Sequence, residues 1–595
     1  MCGIVGIHGA QDPAWIHAMN ANIAHRGPDD SGIYESPDDG LSLAMRRLAI
    51  IDMDGGRQPM TMEGGRYTII FNGEIFNAPE LRRDLEARGV EFSSDHSDTE
   101  ILLRSYALDG EDMLRRLNGM FAFAIFDNLE KTLFCARDRF GIKPFYYFAD
   151  GRRFAFASEL KSLTALPFVE RTLNPESLYH YASLMYVPGP ATILASVHKL
   201  PPAHSLRYDL KTGNLRIQRW WRLHFGNERL KAEDANARVR SALTKAVERW
   251  TLSDVPIACS LSGGLDSSAI AVLLAESGRP LKTYSVGFTG PGEDSWNELP
   301  LARELAQKLG AEHNEIVIDP ESLIADLPKM AWHLDEPYGG GLPSWAVFKF
   351  MSEEVKVGLT GTGGDEIFGD YMRWRHYEGR TLPAVRTKAR FAREYFERHY
   401  YLSDAEKCQS VFQPHMIPEN NTSDFLYSMM NDAPPASVRD RITRMDMETQ
   451  LSEEFLLMTD RLSMAHSLEV RTPFLDHEFV ESMFSMAAAV RTRFRPYKQL
   501  LREAMAPLLP KTILDAPKKG FVMPLKLWLR GPLSEMTQDL LAPQRLSEQG
   551  FYRADFHDRY VTPHLKGQAD NTNLIWGALM FQLWYRGLQE RPQCT

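Results

Sequence analysis

Apolar residues along the chain follow two regimes. Over roughly the first 210 residues they form short strand-like runs, beginning with Gly3-Ile4-Val5-Gly6-Ile7, separated by polar and glycine-containing motifs. From Asn236 the spacing changes: Val239, Leu243, Ala246, Val247 and Trp250 recur at intervals of three and four, which predicts a helix with one buried face. Residues 255–260 then read as a buried strand, 261–264 as a small-residue turn and the run from Leu265 as a helix. Residues 281–288 predict a second strand, Ala302, Leu305 and Leu309 a helix, and residues 313–318 a third strand. Such strand–helix–strand repeats build a parallel doubly wound sheet with ligands beyond the strand ends. Residues 455–470 read as one packed helix. Between the regimes, Pro188-Gly189-Pro190, Pro201-Pro202, Trp220-Trp221 and a polar stretch over 227–235 punctuate the chain. The expected division is a domain over 2–210, a linker over 211–235 and a domain over 236–595.

Composition narrows the class. A chain of 595 residues is too long for one hydrophobic core, and 44% hydrophobic with 25% charged residues is ordinary for a globular protein. The formal net charge of −10 argues against nucleic acid as the main partner. Five scattered cysteines suit a reducing compartment better than a disulfide framework, and no Cys-x-x-Cys pair suggests zinc. With no basic, apolar leader and no apolar run of about 18 residues, neither secretion nor a membrane span is expected, and the predicted location is cytoplasmic.

Two stretches carry candidate chemistry. In Ser262-Gly263-Gly264-Leu265-Asp266-Ser267-Ser268 the small residues let consecutive N–H groups turn inward ahead of a helix N-terminus, a cradle for phosphates, and Asp266 stands where a divalent ion can bridge to phosphate oxygens. The Lys-Ser/Thr ending of a γ-phosphoryl-transfer loop is missing, which favours release of pyrophosphate. At the other end, Cys2 becomes the N-terminal residue if Met1 is removed, carrying a thiol and an α-amine of near-neutral pKa together. Arg47, Glu74 and Asp98 offer the cation and anions that a free amino acid needs, and Asn72 and Gly73 offer oxyanion donors. Taken singly, Asn72-Gly73 also reads as a hairpin turn, Asp98 as a helix cap, and Asp335-Glu336 before Pro337 as a solvated turn.

As a set these motifs resemble the glutamine-hydrolysing asparagine synthetases. The resemblance runs from Cys2 through residues 25–29, 137–144 and 158–161 to the phosphate loop, Asp335-Glu336-Pro337, residues 359–369 and 460–476, Tyr497-Lys498 and Lys518-Lys519-Gly520-Phe521. It implies an α+β N-terminal nucleophile hydrolase domain, an αββα sandwich of the class II glutamine amidotransferase type, followed by an α/β pyrophosphate-loop ATPase domain of the adenine nucleotide hydrolase-like type. Cys2 is then the glutaminase nucleophile with Asn72 and Gly73 beside it, and Arg47, Ile50, Asn72, Gly73, Glu74 and Asp98 bind glutamine. ATP falls to Leu261, Ser262, Gly263, Gly264, Asp266, Ser267, Ser268, Val286, Thr360 and Gly361. Mg²⁺ falls to Asp266 and Asp335, while Asp335, Glu336 and Lys498 join the catalytic set of the second centre. The implied partners are glutamine and a small carboxylate acceptor, with a homodimer open and neither nucleic acid nor membrane involved.

The acceptor stays open at this level. Aspartate is the family default; the alternative is a larger carboxylate such as a uronic acid or a natural-product acid. Thr360-Gly361-Thr362-Gly363 stands where the family commonly has Ser-Gly-Glu-Gly, and Gly339-Gly340-Gly341 offers either space beside an adenylate or a tight turn. A plain amide hydrolase fused to an ATP-responsive module and a non-catalytic assembly protein are the remaining rivals.

Overall fold

The computed structural model describes residues 2–9, 12–289, 297–369, 385–432, 437–492, 497–517 and 523–594. The expected Lys518-Lys519-Gly520-Phe521 motif lies outside them. Among the described residues no helix is long and apolar enough to cross a membrane.

β1 (Cys2–His8) is buried on both faces, and its alternating side chains enter two cores, Cys2 and Ile4 one and Val5 and Ile7 the other. It sits inside a six-stranded sheet with β2 (Asp30–Ser36), β3 (Leu41–Arg47), β8 (Tyr146–Ala149), β9 (Phe154–Ala157) and β10 (His198–Lys199), in the order β10-β8-β9-β1-β3-β2. A second six-stranded sheet holds β4 (Met60–Met62), β5 (Tyr67–Ile75), β6 (Gly119–Asp127), β7 (Thr132–Arg137), β11 (His204–Asp209) and β12 (Leu215–Arg219), in the order β12-β11-β7-β6-β5-β4. Leu43 and Met45 meet Ala122, Ala124 and Leu206 between the sheets. The helices Ala78–Ala87 and Asp98–Asp109 cover the second sheet through Leu81, Leu85, Ile101 and Leu102, and the helix Ala14–Ala21 covers the first through Ile16 and Met19. These are the four layers of an αββα sandwich. The sheet takes in β12, which falls inside the stretch 211–235 expected as a linker, because residues 204–208 pair antiparallel with 215–219.

The second domain opens on the helix Ala232–Trp250, whose buried Val239, Leu243, Ala246, Val247 and Trp250 are the expected face. Its five-stranded parallel sheet comprises β13 (Ile257–Ser260), β14 (Lys282–Phe288), β15 (Glu312–Ile318), β16 (Val357–Leu359) and β17 (Glu469–Arg471), in the order β15-β14-β13-β16-β17. The order reverses between β13 and β16, and that switch point opens a crevice at the carboxyl ends of the two strands. The helix expected over 455–470 ends at Met464, where Ser467 takes a left-handed turn (φ 55°) and Glu469–Arg471 pairs with β16 as an edge strand.

Candidate active sites

The first site lies where the two sandwich sheets meet. Cys2, opposite Arg47 in the β1–β3 register, is 6% exposed, and its backbone nitrogen donates to Asn72 Oδ1 (3.1 Å) across the sandwich. Asn72 and Gly73 lie within β5 and not in a hairpin turn. Asn72 is fully buried and its Nδ2 has no partner among the described residues, a donor held ready at the thiol's side of the sandwich. Gly73 (φ 156°) must be glycine, since a Cβ there would stand 2.1 Å from the Met120 carbonyl oxygen. Burial pushes the Cys2 thiol up, with a backbone hydrogen bond from Leu48 and the Arg47 guanidinium opposing it.

The amino-acid-binding candidates gather around it. The Arg47 guanidinium donates to the carbonyls of Met53 (2.8 Å), Ile51 (3.2 Å) and Asp52 (2.7 Å), folding the loop that carries buried Ile50 against the pocket. Asp98 begins the helix Asp98–Asp109 and accepts from Ile75 N (3.1 Å), so it is at once helix terminus and pocket acid. Burial raises its pKa to about 6, with Glu469 adding to the rise. Glu74 is pushed well above the usual carboxylate range by burial and by Glu469 and Asp98. Glu469 belongs to β17, so the synthetase sheet's edge strand stands against this pocket; Arg471 on the same strand holds Glu469 (2.6 Å) and lies 5.0 Å over the Phe76 ring.

The second site occupies the switch point. After β13 the chain turns through Gly263 (φ 81°), and Ser262 Oγ contacts Ser267 Oγ (2.9 Å) and accepts from Gly264 N (3.2 Å), fixing the loop against the helix Leu265–Glu276. Ser268 Oγ, fully buried, has no partner among the described residues. After β16, Thr360 N donates to Arg471 O (2.9 Å), and the second glycine loop passes so close that a Cβ on Gly361 would meet the Asp266 Cβ at 2.7 Å. Lys498, 2% exposed and left-handed (φ 52°) before the helix Gln499–Met505, bridges Asp266 and Asp365, the latter at 2.5 Å. Leu261, Ser262, Val286, Tyr284 and Phe288 line a pocket beside this cluster at the ends of β13 and β14.

Asp365 is not among the metal or catalytic candidates read from the sequence, although its loop reads as a second glycine-rich turn: in Thr362-Gly363-Gly364-Asp365 an acid follows a hydroxyl-Gly-Gly run as in residues 262–266, one position sooner. Two hard carboxylates bridged by an ammonium already neutralise a cation there, a donor set that suits Mg²⁺. Among the described residues no group of three or more His, Cys, Asp or Glu forms a closed metal cage, so a divalent ion held there would need phosphate oxygens and water to complete its shell.

Asp335 and Glu336 are not with this cluster. They are 3% and 2% exposed, neither solvated nor facing the phosphate loop. Asp335 accepts from Leu160 N and from Lys161 N (2.8 Å), capping the short helix Leu160–Leu163 of the sandwich, and pairs with Arg461 (3.4 Å). Glu336 accepts from Tyr146 OH (3.0 Å), Ile193 N (3.0 Å) and Lys199 (2.9 Å). Their carboxylates are thus engaged by sandwich groups and Arg461, and neither is brought together with Asp266, Asp365 and Lys498 as the sequence expected. They belong to a buried array that joins the domains. In it Arg26 holds Glu159 (2.9 Å) and Asp460 (2.8 Å), Arg461 holds Glu159 (3.2 Å), Lys143 faces Asp460 (3.6 Å) and Lys199 pairs with Glu453 (2.9 Å). Arg26 also donates to the Cys2 carbonyl (3.1 Å).

A sandwich with a buried thiol at its second residue, locked to a parallel sheet whose switch point carries two glycine–acid loops, defines a two-centre protein of the amidotransferase–synthetase class. Family models agree: residues 1–221 match the glutamine amidotransferase domain and residues 238–586 match asparagine synthase. The chain belongs to the glutamine-hydrolysing asparagine synthetase family. It is 33% identical to asparagine synthetase [glutamine-hydrolyzing] 1 of Bacillus subtilis, over 98% of this chain and 96% of that protein. A putative asparagine synthetase [glutamine-hydrolyzing] of Mycobacterium tuberculosis is 30% identical over 98% of this chain and 95% of its own length. Amidase chry2 of Gibberella zeae is 28% identical over 89% and 88% of the two chains.

Proposed function

We propose that the protein makes asparagine from aspartate, with glutamine as nitrogen donor and MgATP as activator. The observation that carries this reading is the Asp266–Lys498–Asp365 cluster where the two glycine loops meet. In the sandwich, the Cys2 thiolate attacks the side-chain amide carbon of glutamine once Met1 has been removed. Asn72 Nδ2 and Gly73 N–H receive the oxyanion, the α-amine passes its proton to the leaving nitrogen, and ammonia departs. Water then releases glutamate from the thioester. Asp98, and Glu74 when ionised, hold the substrate ammonium.

In the second centre Leu261 and Val286 seat the base of ATP, while Ser262, Gly263, Gly264, Ser267 and Ser268 present donors to the phosphates and Thr360 and Gly361 close the other side. Lys498 offsets charge on the phosphates. Asp266 and Asp365 hold Mg²⁺, which when bound neutralises phosphate oxygens and orients the leaving pyrophosphate. The acceptor carboxylate oxygen bonds to the α-phosphorus as pyrophosphate leaves, and ammonia then displaces AMP from the acyl carbon. Ammonia must cross unprotonated, which needs a path without water, and the packing of Phe76, Met120 and Ile142 of the sandwich in one apolar core with Leu359, Leu451 and Leu475 keeps the ground between the domains dry.

The structure bears on the acceptor. A Cβ on Gly339 would meet Met185 at 2.9 Å, on Gly340 Tyr338 at 2.8 Å and on Gly341 Leu462 at 2.7 Å, so close packing is reason enough for the three glycines. The Thr362 hydroxyl, in the place of the family's glutamate, is 3.2 Å from that of Thr360. Aspartate, the acceptor of the family, is retained as the reading, with Asp365 or Glu366 left to hold its ammonium in place of a glutamate at 362. The test is acceptor-dependent pyrophosphate release at saturating ATP and ammonium, with aspartate against galacturonate and glucuronate. Aspartate is expected to respond alone; silence with aspartate beside a clear uronate signal overturns the assignment, and ADP with phosphate as products overturns the adenylation chemistry.

A further inference from the structure

The loop over residues 48–53 belongs to the sandwich, yet much of what holds it belongs to the other domain. It starts at the nucleophile, where the Leu48 N–H donates to the Cys2 thiol, and Arg47 takes its carbonyls at 51, 52 and 53. Its apolar side chains pack on the synthetase domain: Leu48, Ile50 and Ile51 form a small core with Val357 and Met464, which Leu252, Val255 and Ile257 close. Val357 opens β16 and Ile257 opens β13. The amino ends of these two strands thus carry the loop beside Cys2, while their carboxyl ends lead into the two glycine loops of the nucleotide site.

Polar contacts fix the same loop at two points. Asp254, in the turn between the helix Ala232–Trp250 and β13, donates its N–H to the Ile50 carbonyl (3.1 Å) and accepts from Asp52 N (2.8 Å) on its carboxylate. The same oxygen lies 2.7 Å from His96 Nε2, and His96 N donates back to Asp52 Oδ2 (3.1 Å). Asp52 is left-handed (φ 46°) and its Oδ1 accepts from Gly55 N (2.7 Å); a backbone of that kind persists where its surroundings hold it. At the other point Lys356, the residue before β16, pairs with Asp29 (2.8 Å), whose Oδ2 accepts from Ala49 N (2.8 Å). Asp254 and Lys356 are part exposed, so their charge pairs add little stability. What they fix is position, because main-chain groups of residues 49, 50 and 52 are bonded either to Asp254 or to the acid that Lys356 holds.

We propose that Asp254 is a positioning residue for glutamine hydrolysis: from the synthetase domain it holds the loop over 48–53 in place beside Cys2 and the glutamine pocket, with Lys356 acting on the start of the loop through Asp29. The proposal rests on the reading of Cys2 and its neighbours as the glutaminase centre, and adds that this centre is complete only while the synthetase domain is docked on it.

The test compares the full chain with its Asp254→Ala, Asp254→Asn and Lys356→Met variants by glutamate release over a range of glutamine, by ammonium-dependent pyrophosphate release, and by hydrogen exchange of the segment over 48–57. Asp254→Ala loses the carboxylate bond to Asp52 N and should raise KM for glutamine about tenfold, as befits loss of one charge-assisted hydrogen bond, with kcat for hydrolysis and pyrophosphate release each within about threefold of wild type. Asp254→Asn keeps an acceptor for Asp52 N and should recover most of that loss. Lys356→Met should raise KM by only about threefold, since Asp29 still accepts from Ala49 N. Amides of the segment should exchange at least about tenfold faster in Asp254→Ala. Wild-type KM or wild-type exchange in a folded Asp254→Ala protein overturns the proposal, and so does an equal fall of hydrolysis and pyrophosphate release, which marks a fold that is merely weakened. Faster exchange in Asp254→Ala beside a wild-type chain that hydrolyses no glutamine upholds the hold on the loop and overturns the reading of Cys2 instead.

Discussion

Cys2 and Asp98 set the chemistry of the sandwich, and each makes a separable prediction. Cys2→Ala should abolish glutamate release from glutamine while ammonium-dependent pyrophosphate release stays within about threefold of wild type, since the second centre carries its own groups. Wild-type glutamine hydrolysis in that variant would remove Cys2 from the mechanism. Asp98, with a pKa raised from 3.8 to about 6, binds a proton more readily folded than unfolded. Wild-type stability is therefore lowered as pH rises from about 4 through about 6, whereas attraction for a substrate ammonium is gained over the same rise. Asp98→Asn keeps an acceptor for Ile75 N and loses the charge. It should raise the unfolding midpoint at pH 7.5, with the gain vanishing near pH 4, and raise KM for glutamine at least about tenfold at pH 7.5. A variant with wild-type KM across pH 5 to 8 would show that Asp98 does not face the substrate. Much at this scale was legible beforehand, because Cys2, Asn72, Gly73 and the residues 262–268 carry their chemistry in their own atoms and local spacing. Glu74 was read as a simple anion, whereas burial and, after it, Glu469, some four hundred residues away in sequence, push its pKa up; no local pattern announces such a neighbour.

Turns and short strands decide which acids meet. Asp335 is left-handed (φ 69°) at the end of the helix Leu327–Leu334, and its carboxylate caps the helix Leu160–Leu163 of the other domain. Asn tolerates that backbone region, so Asp335→Asn isolates the charge. It leaves Lys161 and Arg461 short of an anion, and a loss of about 3 kcal/mol in urea unfolding is expected. In the folded fraction the Mg²⁺ dependence of pyrophosphate release should be unchanged, and a strongly raised Mg²⁺ requirement would return Asp335 to the metal site. Gly361→Ala tests the opposite element: the added Cβ collides with the Asp266 Cβ, so adenylation should fall more than about hundredfold with glutaminase intact. Full adenylation would mean the two loops separate in solution. The sequence placed β13, β14 and β15 and their helices well: β13 and β14 bring mostly buried residues to the middle of the sheet, and β15 closes on the apolar run Ile316–Ile318 although as an edge strand it is half exposed. It missed β12 and β17. β12 reads as polar because it is an edge strand with exposed faces, and β17 is three residues hidden behind a helical pattern that ends early. The acid pair before Pro337 resembled a loop site because composition cannot tell solvent from a facing domain.

At the scale of the molecule, the dominant feature is the charged seam. Arg26, Lys143, Lys161, Lys199 and Arg461 meet Glu159, Asp335, Glu336, Glu453 and Asp460, and all are buried. Such arrays give orientation more than net stability, because desolvation offsets much of the attraction. They hold Cys2, through Arg26, and the phosphate loops, through β17, in one frame, as a dry passage for ammonia requires. The seam also limits how such a protein can be inherited or rebuilt. Either half, taken alone, would expose charges whose counter-ions travel in the other half, and a sandwich borrowed from a relative would fit only if it brought matching groups to Asp335, Glu336, Glu453 and Asp460. Recombination between relatives is viable only when crossover points carry both sides of the array together, so the two domains must diverge as a pair even where their chemistries are independent.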